Sequence, residues 1–241
     1  LWIRQGRVTI QGRIPQGRQL VSGGEAVRLE VPRPEPVAWQ PQDLPLELVY
    51  EDADILVIDK PAGLVVHPGA GNPVGTLANA ILYHFPELAA LPRAGLVHRI
   101  DKDTTGLLVV ARNEHARSEL IRALECHAVS RCYLAVVDGI PISGGTVDQP
   151  IGRHPRNRLR MAVSPVGKPA VTRYRVEEKF RAHALISVEL ETGRTHQIRV
   201  HLSWAGYPLV GDALYGRRLR IPAGASNKFA ETLRGFKRQA L

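Results

Sequence analysis

One acidic side chain and its neighbours carry the strongest chemical signal in this chain. Asp101 lies in the polar turn His98-Arg99-Ile100-Asp101-Lys102-Asp103-Thr104-Thr105-Gly106. Directly behind it, Leu107-Leu108-Val109-Val110-Ala111 is a branched apolar run that reads as a buried strand between Gly106 and Arg112. A turn of this kind brings a carboxylate to the rim of a core, desolvated on one side and reachable on the other. A carboxylate so placed can act as nucleophile or base. Taken alone, the same residues also describe an ordinary surface β-turn.

Several elements must position that turn. Residues 46–50 and 55–58 read as successive strands around an acidic turn. Residues 76–85 predict a helix, with Leu77, Ile81 and Phe85 at i, i+4 and i+8 and Thr76 as N-cap. A second helix is expected over 113–127, with Ala116, Leu120, Ala123 and Leu124 on one face. Residues 133–137 and 185–190 read as strands. Residues 195–205 read as a third helix, capped by Thr195, ended by Gly206 and buried along Ile198, Leu202 and Ala205. Arg199 then lies near its N-terminal end, able to project toward a neighbouring acid. Strands and helices without a long parallel βαβ rhythm give an α+β chain, helices packed on a mixed sheet.

The first residues differ in character. Short alternating stretches at 8–10 and 26–31, joined by Gly turns, suit a β-meander or a small RNA-binding module. Five prolines between Pro32 and Pro45 resist regular structure and read as a linker.

Net charge is +9, and its distribution is informative. Residues 150–175 hold seven Arg or Lys and no acid, and 217–241 hold seven bases against one acid. The intervening segments are net acidic, so the excess is confined to blocks that suit a polyanion with closely spaced phosphates. Within the first block, Arg153, Arg156, Arg158 and Arg160 crowd a Pro-broken loop and are the best candidates for phosphate contacts. The two cysteines, Cys126 and Cys132, come with no zinc-ligand pattern and read as ordinary small residues. His67 and His201 have no third ligand at helpful spacing, so no metal is expected. The apolar runs are too short for a bilayer and no signal-peptide core is visible, so a cytoplasmic protein is expected.

Several motifs, in order, resemble the RluA/RluD family of RNA pseudouridine synthases. The catalytic-loop motif of that family is matched by 98–106, with Ile100 where Leu is usual. Asp59-Lys60-Pro61-Ala62-Gly63-Leu64-Val65-Val66-His67-Pro68, Arg131-Cys132-Tyr133-Leu134-Ala135, Gly193-Arg194-Thr195-His196-Gln197-Ile198-Arg199-Val200-His201 and Gly211-Asp212-Ala213-Leu214-Tyr215-Gly216 resemble the others. The likeness is strongest to the RluD type, which acts on large-subunit ribosomal RNA. It implies three segments: 1–31 as the tail of an S4-like RNA-binding module, 32–43 as the linker, and 44–241 as the catalytic domain. Family members usually continue beyond the position of Leu241 with further core strands.

The resemblance also implies the fold and the chemistry. The fold would be a mixed, mainly antiparallel sheet split by an RNA-binding cleft. Asp101 would be the catalytic carboxylate, paired with Arg199, which keeps it ionised against desolvation. Tyr133 would pack on the reacting uracil and take part in the catalytic steps. Arg99 would fill the space left by the flipped base, and His98 would border the RNA and shape the loop. No cofactor is implied. The expected partner is large-subunit ribosomal RNA or a pre-ribosomal particle, and the expected state is a monomer. Two other readings compete: a non-catalytic RNA-binding or ribosome-assembly factor on the same scaffold, and a glycosidase using Asp103 as a second acid.

Overall fold

Alternation of apolar and polar residues decides where the strands lie. In the computed structural model, residues are described throughout except Leu1, Arg4, 31–38, Ala70 and Arg220. The chain forms two compact units, 1–38 and 39–241. In the smaller, β1 (Val8–Ile10) and β2 (Val27–Leu29) form an antiparallel hairpin with Val8 opposite Leu29. The end of the expected 26–31 strand and most of the expected linker lie outside the described residues.

The larger unit begins at Trp39, which packs against an apolar cluster of that unit. Residues 39–43, Pro-flanked and linker-like in sequence, are tied down: Asn79 donates to Gln40 O at 2.7 Å, and Gln42 N–H donates to Asn79 O at 3.0 Å. β3 (Glu47–Glu51) and β4 (Ile55–Lys60) then pair antiparallel. Period-2 alternation along β4 buries Leu56, Ile58 and Lys60 on one face. α1 (Leu77–His84) follows, with Thr76 at its N-cap. The Asn79 carboxamide oxygen accepts from the Thr76 N–H at 3.0 Å and from its hydroxyl at 2.6 Å, which ties down the first turn. Two 3₁₀ turns, Pro86–Ala90 and Pro92–Gly95, lead to the loop that holds Asp101.

β5 (Gly106–Ala111) completes a three-stranded antiparallel sheet, with Gly106 opposite Lys60. Gly106 has φ +117°, a conformation side chains disfavour, and there the chain turns from the Asp101 loop into the strand. α2 (Glu114–Glu125) is capped by Asn113, whose side chain accepts from Ala116 N–H at 2.8 Å. Along its expected stripe Ala116 is buried, whereas Leu120, Ala123 and Leu124 are half-buried.

β6 (Cys132–Asp138), β7 (Gly145–Asp148), β10 (Val171–Lys179) and β11 (His183–Leu190) form a second antiparallel sheet in the order β6-β11-β10-β7. Between β7 and β10, β8 (Ile151–Arg153) and β9 (Met161–Val163) make a hairpin that carries the basic 153–160 loop. α3 (Gln197–Trp204) lays Ile198 and Leu202 on the second sheet, against Ala135, Ile186 and Val188. Val200, on another face, meets Ile151 and Tyr215 in a smaller cluster. α4 (Asn227–Gly235) is capped by Ser226. Every named strand pair is antiparallel, and the fold is α+β as expected. No described helix is long and apolar enough to cross a membrane.

The third helix departs from the sequence reading at its start. It begins at Gln197, with His196 rather than Thr195 at the N-cap. The cause lies in Gln197: its oxygen accepts from Arg194 N–H and the Thr192 hydroxyl, and its amide donates to Val171 O and Thr172 Oγ1. Residues 192–196 wrap around that side chain, and His196 is forced to φ 58°, ψ 23°.

Candidate active site

The Asp101 loop is held by anchors from three directions. Lys60 is wholly buried, and its ammonium donates to the carbonyls of Pro61, Leu64 and Lys102 at 2.8, 2.9 and 2.9 Å. Burial pulls its pKa down to about 8, against the attraction of Asp103 and Asp101. From the C-terminal segment, the Gln239 amide reaches Thr104 Oγ1 at 3.3 Å and Leu241 O accepts the Thr105 N–H at 3.4 Å. Gly211 makes room for that segment, since a Cβ there would stand 2.1 Å from Arg238 O. The third anchor is His98, whose Nε2 accepts the Val109 N–H of β5 at 3.0 Å. Burial, reinforced by the charge of Arg131, lowers the His98 pKa to about 4, so the ring is neutral and fit to accept.

So held, Asp101 meets Arg199 from the first turns of α3. Arg199 Nη1 donates to Asp101 Oδ2 at 3.0 Å. The rest of the guanidinium is gripped by Asp212, with Nε to Oδ2 at 2.7 Å and Nη2 to Oδ1 at 2.9 Å. Side-chain exposure falls along this chain, from 18% for Asp101 through 8% for Arg199 to 0% for Asp212. Asp212 is also held by the N–H groups of Leu214 and Tyr215 at 2.9 and 3.0 Å. Burial opposes its ionisation, but Arg199 and those two N–H groups outweigh it and hold the carboxyl below the usual range. Arg199 is likewise opposed by burial, yet its two acidic partners raise its pKa, so it is a permanent cation. A fork gripped on one edge by a buried acid presents its remaining N–H to Asp101 in a fixed direction. Tyr215 adds a face, with its ring centroid 5.0 Å from the Arg199 guanidinium.

Asp101, Arg99, His196 and Arg199 stand where two recesses of about 290 Å³ each adjoin, open to solvent. Tyr133 lines one recess and packs against both main apolar clusters. Burial raises its pKa, so the phenol stays protonated near neutrality. Arg131 borders the same recess, its Nη2 donating to Leu190 O and Glu191 O at 3.3 and 2.7 Å.

The expected site residues therefore divide by place. Asp101, Arg199, Tyr133, Arg99 and His98 all border the cleft. The loop arginines lie apart on the β8–β9 hairpin. Arg153, Arg156 and Arg158 are exposed, while Arg160 is half-buried with its guanidinium 5.1 Å from the Tyr215 ring centroid. His154 organises that loop, its Nδ1 accepting the N–H groups of Arg156 and Asn157 at 3.2 and 3.1 Å. His201 has both ring nitrogens occupied, by Thr172 Oγ1 and Gln149 O at 2.9 Å each, which accounts for it as a buried tie between α3 and the sheet. Sequence reasoning assigned no role to Lys60, Asp212 or His196. Each lay in a quoted motif, and the signal for Asp212 was an acid directly after Gly211 and three residues before Tyr215, shortly after the third helix.

Asp101 on a braced loop, fixed to a doubly held Arg in an open cleft, sets a carboxylate where a substrate could reach it. The pattern of the RNA pseudouridylate synthase family matches residues 54–204, and the chain belongs to that family. The ribosomal large subunit pseudouridine synthase D of Pseudomonas aeruginosa is 57% identical over 240 residues, spanning 100% of this chain and 75% of that protein. The protein of the same name from Yersinia pestis is 56% identical over 241 residues, spanning 100% and 74%. Among solved structures, human RNA pseudouridylate synthase domain containing 1 is similar, with a TM-score of 0.60 and 30% identity, covering 72% of this chain and 70% of that one.

Proposed function

We propose that this protein isomerises specific uridines of large-subunit ribosomal RNA to pseudouridine, with Asp101 as the catalytic carboxylate. The observation that carries the reading is the Asp101–Arg199–Asp212 chain at the floor of an open cleft. The named relatives support the choice of RNA. The reaction breaks the bond from N1 of uracil to C1′ of ribose, turns the base, joins C5 to C1′, and releases the C5 proton. Oxidation state is unchanged, so the chemistry calls for no redox partner.

A base within folded RNA must leave its stack first. Arg99, exposed at the mouth of both recesses, would occupy the vacated space, and guanidinium planes stack well on bases. Tyr133 would lie against the everted uracil. Asp101, braced by Arg199, would then act on the ribose, by attack at the anomeric carbon or by removal of a sugar proton. Arg153, Arg156, Arg158 and Arg160 would meet phosphates of the flanking RNA, with His98 setting the loop beneath. The N-terminal hairpin fits the tail of an S4-like RNA-binding module. We further propose a monomer working in the cytoplasm on ribosomal RNA or a pre-ribosomal particle.

The test is tritium release from ribosomal RNA transcripts labelled at uracil C5. The protein should release label with time, and the Asp101→Asn variant, folded by circular dichroism, should release none. Equal rates would remove Asp101 from the mechanism. Binding without release by the unaltered protein would favour the assembly-factor reading.

A further inference from the structure

His196 has no part in the proposed reaction, although it stands in the same cleft. Its backbone is left-handed at φ 58°, a strain that clusters at functional sites. Capping does not explain the residue, because its side chain makes no hydrogen bond to the helix it precedes. What the backbone geometry achieves is to set the ring edge-on to Tyr215, at 5.6 Å between centroids, with one nitrogen toward Asp101.

The two ring nitrogens have different neighbours. Nδ1 lies 2.8 Å from Tyr215 Oη, and Tyr215 Oη already accepts the Met161 N–H at 2.8 Å. Among the described residues Tyr215 Oη has no other partner. The phenolic proton therefore goes to His196 Nδ1. The reverse arrangement would leave a half-buried hydroxyl proton unpaired, which is unfavourable. With Nδ1 accepting, the proton of the neutral ring sits on Nε2. Burial lowers the pKa of His196 despite the attraction of Asp101, which keeps the ring neutral near pH 7.

Nε2–H then faces Asp101 Oδ2 across 3.9 Å, too far for a direct hydrogen bond. A third atom roughly 2.8 Å from each would fit beside that gap. It must accept from Nε2–H and donate to the carboxylate, and a hydroxyl does both. Within an RNA chain the 3′ and 5′ oxygens are esterified, so an internal ribose offers one hydroxyl, at C2′. That carbon adjoins C1′, where the reaction takes place. We propose that His196 Nε2–H and Asp101 Oδ2 together hold the 2′-hydroxyl of the target uridine, so that His196 is a substrate-contacting catalytic residue which reads ribose. The proposal rests on the pseudouridine synthase reading. It also links the basic hairpin to the chemistry, since Met161 follows the 153–160 loop and its N–H fixes the proton on Tyr215.

His196→Asn is the informative variant, because Asn tolerates the left-handed backbone but is too short to place a donor at the Nε2 position. Binding and single-turnover conversion are compared on RNA carrying ribose or 2′-deoxyribose at the modified uridine, once that uridine has been mapped. The unaltered protein should bind the ribose form about tenfold more tightly, and His196→Asn should bind both within about threefold. The rate penalty of the variant should be about tenfold or more on ribose and should largely vanish on deoxyribose. A merely structural role would weaken both substrates equally, and that result overturns the proposal. Nitrogen-15 shifts of the His196 ring give an independent check. A protonated Nε2 with a bare Nδ1, lost in Tyr215→Phe, is expected, and a protonated Nδ1 overturns it. Should the unaltered protein form no pseudouridine at all, the enzymatic reading itself fails, a result distinct from these.

Discussion

Replacing Asp212 by Asn tests the central geometric argument most directly. The substitution keeps shape but removes a charge that is 0% exposed and bound to Nε and Nη2 along one edge of Arg199. One face of the new amide is an N–H₂ group that meets an Arg donor. Arg199, 8% exposed, is left with Asp101 as its one acidic partner among the described residues. Breaking a buried pair by removing one partner costs about 3–5 kcal/mol. For a unit of this size each kcal/mol lowers Tm by about 2–4 °C, so a fall of roughly 6–20 °C is expected. Turnover should fall further than binding, because Arg199 can rotate and no longer fixes Asp101. The measurements are urea and thermal denaturation alongside tritium release.

A second arm separates charge burial from general damage. Adding Arg199→Met to Asp212→Asn should restore at least about 1 kcal/mol of stability, without restoring turnover. The acid limb gives a third reading. Asp212 has a depressed folded pKa, so its contribution is present above the unfolded value and is lost as pH falls below about 4. The variant should lose less stability on acidification than the original. Stability within about 1 kcal/mol of the original with full turnover would refute the claim that Asp212 holds Arg199 in place.

Lys60→Met leaves the carbonyls of Pro61, Leu64 and Lys102 without their shared donor, and should cost about 3 kcal/mol or more in denaturation while lowering kcat more than affinity. Because the folded pKa of Lys60 is pulled down to about 8, the unfolded chain binds a proton the folded chain has shed between there and about 10.4. Stability attributable to this group should rise with pH through that window and be flat in Lys60→Met. Arg156→Ser with Arg158→Ser, both exposed on the hairpin, should reduce the salt slope of RNA binding by about 1.5 and leave Tm within about 2 °C. An unchanged slope would remove that loop from the RNA interface. Gln239→Ala deletes a buried amide that reaches Thr104, and should cost about 1–2 kcal/mol with a measurable fall in kcat; unaltered kinetics would mean the C-terminal segment does not brace the loop.

Much of the scaffold was legible because its elements carry their own periodicity. β4 and β5 were readable because branched apolar residues run between turn signals, and α1 because Thr76 precedes a spaced apolar stripe. β10 was not read as a strand, although Thr172, Tyr174 and Val176 alternate with Arg173, Arg175 and Glu177. Its arginines were taken with the basic block, whereas Arg173 in fact pairs with Glu191, just past the end of the neighbouring strand β11. Periodicity was present there, but those residues were weighed only for their charge. The start of α3 was misplaced because Thr195 has the right chemistry for a cap, and the Gln197 hydrogen bonds that override it come from residues up to 26 positions away.

Within the site, motif likeness singled out Asp101, whose position between a polar turn and an apolar strand was also that of an ordinary surface turn, and periodicity placed Arg199 near the start of a helix. Side-chain type, local spacing and motif likeness suffice for that, because they are properties of short stretches of chain. Which groups meet was decided by tertiary structure. Asp101 and Arg199 are 98 positions apart, and Lys60 reaches a carbonyl 42 positions away. Asp212 becomes the anchor only because folding buries it completely beside a guanidinium, where an unpaired charge would be intolerable. Burial and long-range geometry set the strength of a charge pair, and neither can be computed from neighbours along the chain.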